Sequence, residues 1–278
     1  MPLAITGSTG NVGGRVARLL ATRQVEQRLL VRSPAKAPSL PQTEVVQASY
    51  ADQDAVRRAL TGVDVALMVS GSESEDRLAE HRSFVDAAAE AGVRHLVYTS
   101  FYGAAADATF TLARDHHHTE QHIERSGMSW TFLRDNLYLD FFPMLAGEDG
   151  VLRGPADDGL VAAVAQDDIA AVATAVLLDP TSHEGRTYDL TGPEAITLSE
   201  AAGTMSRILG RDYSFRDETL EEAHASRASY GVPDWQVEAW VSTYTAIASG
   251  ELSGVTGDVE RVTGRAPLSL ADVLARRG

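Results

Sequence analysis

Apolar positions along the first half of the chain come in short blocks, each followed by a stretch that is apolar at helical spacing. Leu3-Ala4-Ile5 is such a block, and Arg15-Val16-Ala17-Arg18-Leu19-Leu20 puts its apolar residues on one helical face. The unit repeats. Arg28-Leu29-Leu30-Val31 is a second strand, Val45 to Ser49 a third, and Asp54 to Leu60 a helix with Ala55, Ala59 and Leu60 inward. Val65 to Val69 is an unbroken apolar run, the mark of a strand buried on both faces. A helix from Asp76 to Ala91 closes at Gly92 in a left-handed cap. His95 to Thr99 predicts a fifth strand, Asp115 to Arg125 a helix, and Trp130 to Arg134 a sixth strand. Strict alternation of this kind predicts an α/β fold, a Rossmann-type doubly wound parallel sheet.

Past Asn136 the pattern loosens. Val161 to Leu178 supplies a strand-like run and a helix opened by Asp167-Asp168, and Thr187 to Thr191 another strand. From Gly210 onward, with Tyr230, Trp235, Trp240 and Tyr244, the chain reads as mainly helical. The expected division is a Rossmann domain over residues 1–150, with a return segment near 161–178, and a smaller helical lobe over 179–278.

The first strand runs into Gly7-Ser8-Thr9-Gly10-Asn11-Val12-Gly13, glycines spaced G-x-x-G-x-x-G between a strand and a helix. Gly7 suits the tight turn, Gly10 lets the backbone approach a pyrophosphate, and Gly13 lets the helix pack close to the sheet. The free amides of the first helical turn then face the phosphates of a dinucleotide. At the end of the second strand an NAD-selective site would place an acidic residue to bind the ribose 2′-hydroxyl. This chain has Arg32 there, with Lys36 close by. A guanidinium fork suits a 2′-phosphate, so the expected cofactor is NADPH. In an open α/β sheet the ligand lies beyond the carboxyl ends of the strands. That adds Tyr50, the turn Ser70-Gly71-Ser72, the segment Thr99-Ser100-Phe101, and Asn136 as expected cofactor contacts.

Composition narrows the partners. The 39 acidic residues outnumber the 24 basic ones, for a formal net charge of −15, which disfavours nucleic acid and anionic membranes. The chain has no cysteine, which removes disulfides and thiolate chemistry together. No apolar run approaches the ~20 residues of a membrane span, and no charged leader precedes Leu3, so a cytoplasmic location is expected. His118 and His122 lie one helical turn apart, but a polar helix face accounts for them equally well and no metal is expected. Asp135 and Asp140 read as structural or solvated, Asp157-Asp158 as a loop, and Asp167-Asp168 as a helix N-terminus.

Short-chain dehydrogenases reduce carbonyls with a tyrosine whose pKa is lowered by a lysine four positions on. The sole lysine here is Lys36, so no such pair exists in this chain. A quinone makes less demand on a dedicated acid, because its reduced product is a stabilised aromatic oxyanion. The glycine-rich turn, Val31-Arg32-Ser33-Pro34-Ala35-Lys36, Tyr98-Thr99-Ser100, His116-x-x-Thr119-Glu120, Leu133-Arg134-Asp135-Asn136-x-Tyr138, His183 to Tyr188 and Thr197-Leu198-Ser199-Glu200 resemble the NmrA-like atypical short-chain dehydrogenase/reductase family. Within that family they are most similar to the bacterial type 2 NADPH:quinone oxidoreductases, over most of the chain and more weakly after about residue 210.

The resemblance implies a large NADPH-binding domain, a small C-terminal substrate lobe, and a quinone or similar small-molecule acceptor in the cleft between them. A homodimer is compatible with it. It also points to His116 and Gln121 as catalytic candidates, and Tyr138 is a further one, an alternative donor or stacking ring. His116 would be a near-neutral imidazole facing the acceptor and able to donate a proton. Tyr102 is an alternative donor. Family members tend to carry a lysine where this chain has Gln121, which keeps a hydrogen bond but not the positive charge. That substitution leaves room for a second reading, a non-catalytic NADP(H)-binding redox sensor of the NmrA type. Replacing Arg32 with alanine should weaken NADPH by about tenfold, the worth of one charge-assisted hydrogen bond, and leave NADH nearly unchanged. Equal losses in calorimetric titrations with the two nucleotides would refute the assignment.

Overall fold

The computed structural model describes residues 3–276. A seven-stranded sheet is built from β1 (Leu3–Thr6), β2 (Gln27–Val31), β3 (Thr43–Gln47), β4 (Val65–Met68), β5 (His95–Phe101), β6 (Ser129–Asp135) and β8 (Arg186–Leu190), while β7 (Val151–Gly154) lies outside it. Its order is β3-β2-β1-β4-β5-β6-β8. The β1–β2, β1–β4, β2–β3 and β4–β5 pairs are all parallel. The chain winds outward from β1 in one direction and then restarts at β4, so the switch point lies between β1 and β4. A dinucleotide crosses such a sheet at that crevice.

Connecting helices are α1 (Asn11–Thr22), α2 (Gln53–Leu60), α3 (Arg77–Glu90), α4 (Thr111–Arg125) and α6 (Gln166–Leu178). The expected boundaries shift where capping decides them. Asp52 accepts the Ala55 N–H at 2.9 Å and starts α2 at Gln53. Val56, Ala59 and Leu60 are then the buried residues, and Ala55 is only half-buried, in place of the expected inward Ala55. Gly92 follows α3 with φ 83°, the left-handed closure the sequence predicts.

Two compact units interleave along the chain. One takes the chain up to Phe101, with Asp115–Arg134 and Asp167–Tyr188. It holds the greater part of the sheet, and its core is formed by Leu30, Val56, Met68, Phe84, Leu96, Tyr98 and Phe132, among others. The other comprises Tyr102–Arg114, Asp135–Gln166 and the chain from Asp189 on. A single boundary near residue 150 does not describe this division, because residues 102–114 and 135–150 fall in the second unit and 179–188 in the first.

Within the second unit α5 (Phe142–Leu145), α7 (Leu198–Leu209), α8 (Leu220–Arg227), α9 (Asp234–Ala248), α10 (Asp258–Thr263) and α11 (Leu270–Ala275) are helical. The region read as mainly helical also contributes β9 (Ser214–Asp217), which pairs in parallel with β7 (Val151–Gly154). Arg227 secures this arrangement. It is buried, bonded to Glu218 at 2.9 Å and to the Arg153 carbonyl at 2.8 Å, and lies over the Tyr244 ring. No described helix is long and apolar enough to cross a membrane.

The junction between β1 and α1 is the tightest part of the first unit. Gly7 has φ 63°, and a Cβ there would lie 2.8 Å from Val69 Cβ. At Gly13 a Cβ would lie 2.5 Å from the Thr6 carbonyl oxygen and 2.6 Å from that of Gly7. Gly10 is different, since its Cβ would meet nothing closer than the Gly7 oxygen at 3.3 Å. Gly13→Ala should therefore destabilise the fold by about 2 kcal/mol, the cost of overpacking against rigid backbone. Gly10→Val should leave the urea midpoint nearly unchanged and abolish most nucleotide binding. A stable Gly13→Ala variant, or a Gly10→Val variant that binds normally, contradicts this division of roles.

Candidate functional site

The carboxyl ends of β1, β2, β4 and β5 bring most of the expected cofactor residues to one edge of the sheet. At β1, the Gly10 N–H closes a turn on the Gly7 carbonyl at 2.9 Å and α1 begins at Asn11. No side chain caps this helix and its first turn carries no acidic residue, so its amides and its positive dipole end are open to an anion. Ser8 is buried and its hydroxyl has no partner among the described residues, an orphan that a phosphate oxygen would satisfy. Thr9, Gly10 and Asn11 are exposed, while Val12 is buried under the loop. At β2, Arg32 and Lys36 are exposed and no described carboxylate pairs with either. These residues fit a dinucleotide that carries a 2′-phosphate.

The remaining strand ends are laced together, and the lacing corrects several expectations. Tyr50 does not offer a free hydroxyl. It lies 2.5 Å from Thr6 Oγ1 and donates to the Val69 carbonyl at 2.6 Å, while the Val69 N–H donates to Thr6 Oγ1 at 2.8 Å. Burial pushes its phenol far up, so it stays neutral. Thr99 is also used structurally, as Oγ1 accepts the Ser70 N–H at 2.8 Å. Ser100 donates to Glu120 Oε1 at 2.6 Å, and Arg134 grips both oxygens of that carboxylate at 2.9 and 2.6 Å. Phe101 packs against the His116 ring, with centroids 6.1 Å apart. Ser72 remains exposed at the edge.

Asn136 and Tyr138 belong to the second unit. Asn136 is fully buried. It gives its amide to the Leu252 carbonyl at 3.0 Å and takes the Leu137 N–H at 2.8 Å, so the side chain expected to bond the cofactor already holds two backbone partners. Tyr138 donates to Asp135 Oδ2 at 3.1 Å. Burial pushes the Asp135 carboxyl well up, against the opposing pull of that hydrogen bond. Tyr102 lies in the same unit, where burial raises its phenol.

His116 departs most from expectation. It is buried, and Arg77 Nη2 donates to its Nε2 at 2.8 Å. A guanidinium only donates, so Nε2 accepts and Nδ1 carries the proton toward Tyr98 Oη, 3.0 Å away. Burial and the adjacent Arg77 charge push its pKa well below the ordinary histidine value. Both nitrogens are engaged and the ring is neutral, so His116 is not the near-neutral proton donor the motif suggested. Gln121 Nε2 lies 3.1 Å from His117 Nε2 on the half-buried face of α4. His122 turns away to Asp86 at 2.7 Å. At the start of α6, Asp167 pairs with Arg15 at 2.7 Å.

Two residues of this edge are absent from the sequence reading. Arg77, 4% exposed, donates to the Gly71 carbonyl at 3.0 Å and to Asp115 at 3.3 Å besides His116. His81, one helical turn on, accepts the Gly71 N–H at Nε2, 2.8 Å away, and its Nδ1 lies 2.9 Å from Thr119 Oγ1. Thr119 gives its own proton to the Asp115 carbonyl, so Nδ1 of His81 is the donor in that pair. Burial lowers the His81 pKa to about 3. The signal in the sequence was a polar pair four residues apart on a predicted helix, which ordinarily marks a solvated face.

A family model described as NAD(P)H-binding matches residues 7–180, the stretch that contains the glycine turn, Arg32 and both helices of this lacing. The chain belongs to this NAD(P)H-binding family. Over 277 residues it is 32% identical to quinone oxidoreductase 2 of Escherichia coli, covering 97% of this chain and 96% of that protein. It is 37% identical over 278 residues to the (4-alkanoyl-5-oxo-2,5-dihydrofuran-3-yl)methyl phosphate reductase of Streptomyces griseus, covering 95% and 93%. The crystal structure of the Escherichia coli NADPH-dependent quinone oxidoreductase complexed with NADPH matches with a TM-score of 0.90 at 31% identity, over 99% of each chain.

In this family member the neutral buried histidines set an acid limit. His81 and His116 have folded pKa values below their ordinary value near 6.5, so below that pH the unfolded chain binds protons that the folded one refuses. The contribution of these two groups to stability is therefore fully present above about pH 7 and is lost as pH drops, by at most about 1.4 kcal/mol per pH unit for each, while the raised Asp135 carboxyl acts with the opposite sign. Urea midpoints should drop between pH 7.5 and pH 5.5, and His81→Gln should flatten that slope. A pH-independent midpoint across the interval would contradict the assignment.

Proposed function

We propose that this protein passes the hydride of NADPH to a quinone or a similar conjugated carbonyl acceptor. At the coarser level, the chain is an NAD(P)H-dependent oxidoreductase: relatives at 32% and 37% identity, matched over nearly their whole length, are reductases. What carries the cofactor half of the reading is the buried, unpartnered Ser8 hydroxyl beneath an uncapped helix start, with Arg32 and Lys36 left without carboxylates. NADPH supplies the hydride. The protein supplies binding, orientation and exclusion of water.

No Tyr-x-x-x-Lys pair exists to deliver a proton, and a quinone is the acceptor that tolerates this best, since its reduced form is stable as an oxyanion. We assign the remaining proton handling to Tyr138. Its partner Asp135 is a buried carboxyl whose pKa burial raises well above the ordinary aspartate value, so the pair holds a proton more readily than an exposed aspartate would. Gln121 is assigned the hydrogen bond that the family's lysine would make, without the charge. Acceptor recognition is assigned to the second unit, whose surface exposes Phe141, Met144 and Leu145.

The decisive experiment mixes the pure protein with NADPH and a panel of quinones and follows reduced-nicotinamide absorbance. Oxidation above the enzyme-free rate is expected, together with a roughly tenfold faster turnover for Gln121→Lys, about 1.4 kcal/mol of charge stabilisation. Tight binding of one redox form without turnover in any variant would favour a redox sensor instead.

A further inference from the structure

Gly71 follows the end of β4, on the far side of the switch point from Arg32, and both of its backbone polar groups are claimed by side chains. His81 Nε2 takes its N–H at 2.8 Å, and Arg77 Nε donates to its carbonyl at 3.0 Å. Both residues come from α3, one helical turn apart, and each is braced from α4. His116 and Asp115 hold Arg77, and Thr119 holds His81. A Cβ on Gly71 would lie 3.2 Å from His81 Nε2, so a side chain there would press the imidazole away from the backbone it bonds by a few tenths of an ångström.

Burying a guanidinium and two imidazoles is costly, and hydrophobic residues would pack this space at less expense. The geometry explains the expenditure: bonding the Gly71 N–H and the Gly71 carbonyl from two side chains fixes both of the peptide planes that flank this glycine. We infer that Arg77 and His81 are positioning residues that set the backbone of Ser70-Gly71-Ser72 in the shape needed by the nicotinamide half of the dinucleotide, with His116 and Thr119 as their counter-anchors. This rests on the reading that NADPH fills the crevice. A Rossmann sheet binds one mononucleotide on each side of its switch point. Arg32 lies at the end of β2, on the adenosine side, and Gly71 at the end of β4, on the other. The His-x-x-Thr-Glu segment thus acts through α3 and the loop, and its histidine serves as an anchor.

The test separates the two halves of the ligand. Calorimetry measures NADPH and 2′,5′-ADP, which carries the 2′-phosphate but no nicotinamide, on the wild type and on Arg77→Met, His81→Leu and His81→Gln. Arg77→Met and His81→Leu should weaken NADPH about tenfold, one lost hydrogen bond to a buried group, and leave 2′,5′-ADP within about twofold. His81→Gln, whose amide oxygen can still accept the Gly71 N–H, should recover most of the loss. Unchanged NADPH affinity in the folded variants, or parallel loss of both ligands, overturns the positioning role and leaves NADPH binding intact. A wild type that binds neither ligand removes the underlying reading, and this inference with it. Should Arg77→Met fail to fold, the His81→Leu and His81→Gln pair decides alone.

Discussion

The approach of α1 to β1 at Gly13 is the constraint on which the rest of this structure depends. With no Cβ at that position, the helix comes close enough for a side-chain carbon to meet the Thr6 and Gly7 carbonyl oxygens at 2.5–2.6 Å. That contact aims the open amides of the first helical turn over the end of β1. It also leaves Ser8 buried with an unsatisfied hydroxyl, an arrangement that is unfavourable in the free protein and favourable once an anion arrives. The Thr6–Tyr50–Val69 ring then ties β1, the turn after β3 and the end of β4 to the same edge.

Around that edge the protein keeps few side-chain groups free. Thr99 holds Ser70, Ser100 holds Glu120, Arg134 holds Glu120 in turn, and Arg77 with His81 holds Gly71. A buried polar network of this kind is stable only when nearly every member is satisfied, because an unpaired group in a low-dielectric interior costs more than its bond contributes. The consequence for chemistry is plain. Most hydroxyls and imidazoles near the crevice serve to orient backbone, and what stays open there are amides, carbonyls and the exposed Arg32 and Lys36 after β2. This agrees with a family in which the cofactor carries the reactivity and the protein provides its geometry.

Much of the first unit was legible in the sequence, since apolar runs and glycine spacing are local properties. The strand and helix order, the glycine turn, Arg32 at the second strand and the left-handed Gly92 all follow from neighbours within a few residues. Misreadings arose where a residue's partner is distant in sequence. His116, Tyr50, Ser100 and Asn136 each carry chemistry that could serve a ligand, and each is consumed by a contact 18 to 116 residues away. Arg77 and His81 were overlooked for the same reason in reverse, because polar residues on a helix read as solvated until a second helix covers them. The interleaved units likewise depend on which segments pack together, and linear order does not reveal that.

The sequence by itself determined the fold class, the glycine-rich turn between the first strand and helix, the arginine in place of an acidic residue after the second strand and the absence of a tyrosine–lysine pair. Those follow from residue identity at fixed local spacing, which backbone geometry translates directly into structure. Only the tertiary structure decided which polar groups are available and which are occupied, and which histidines remain neutral. Availability and ionisation depend on burial and on partners brought in by the fold, and desolvation acts on a group according to what surrounds it in space.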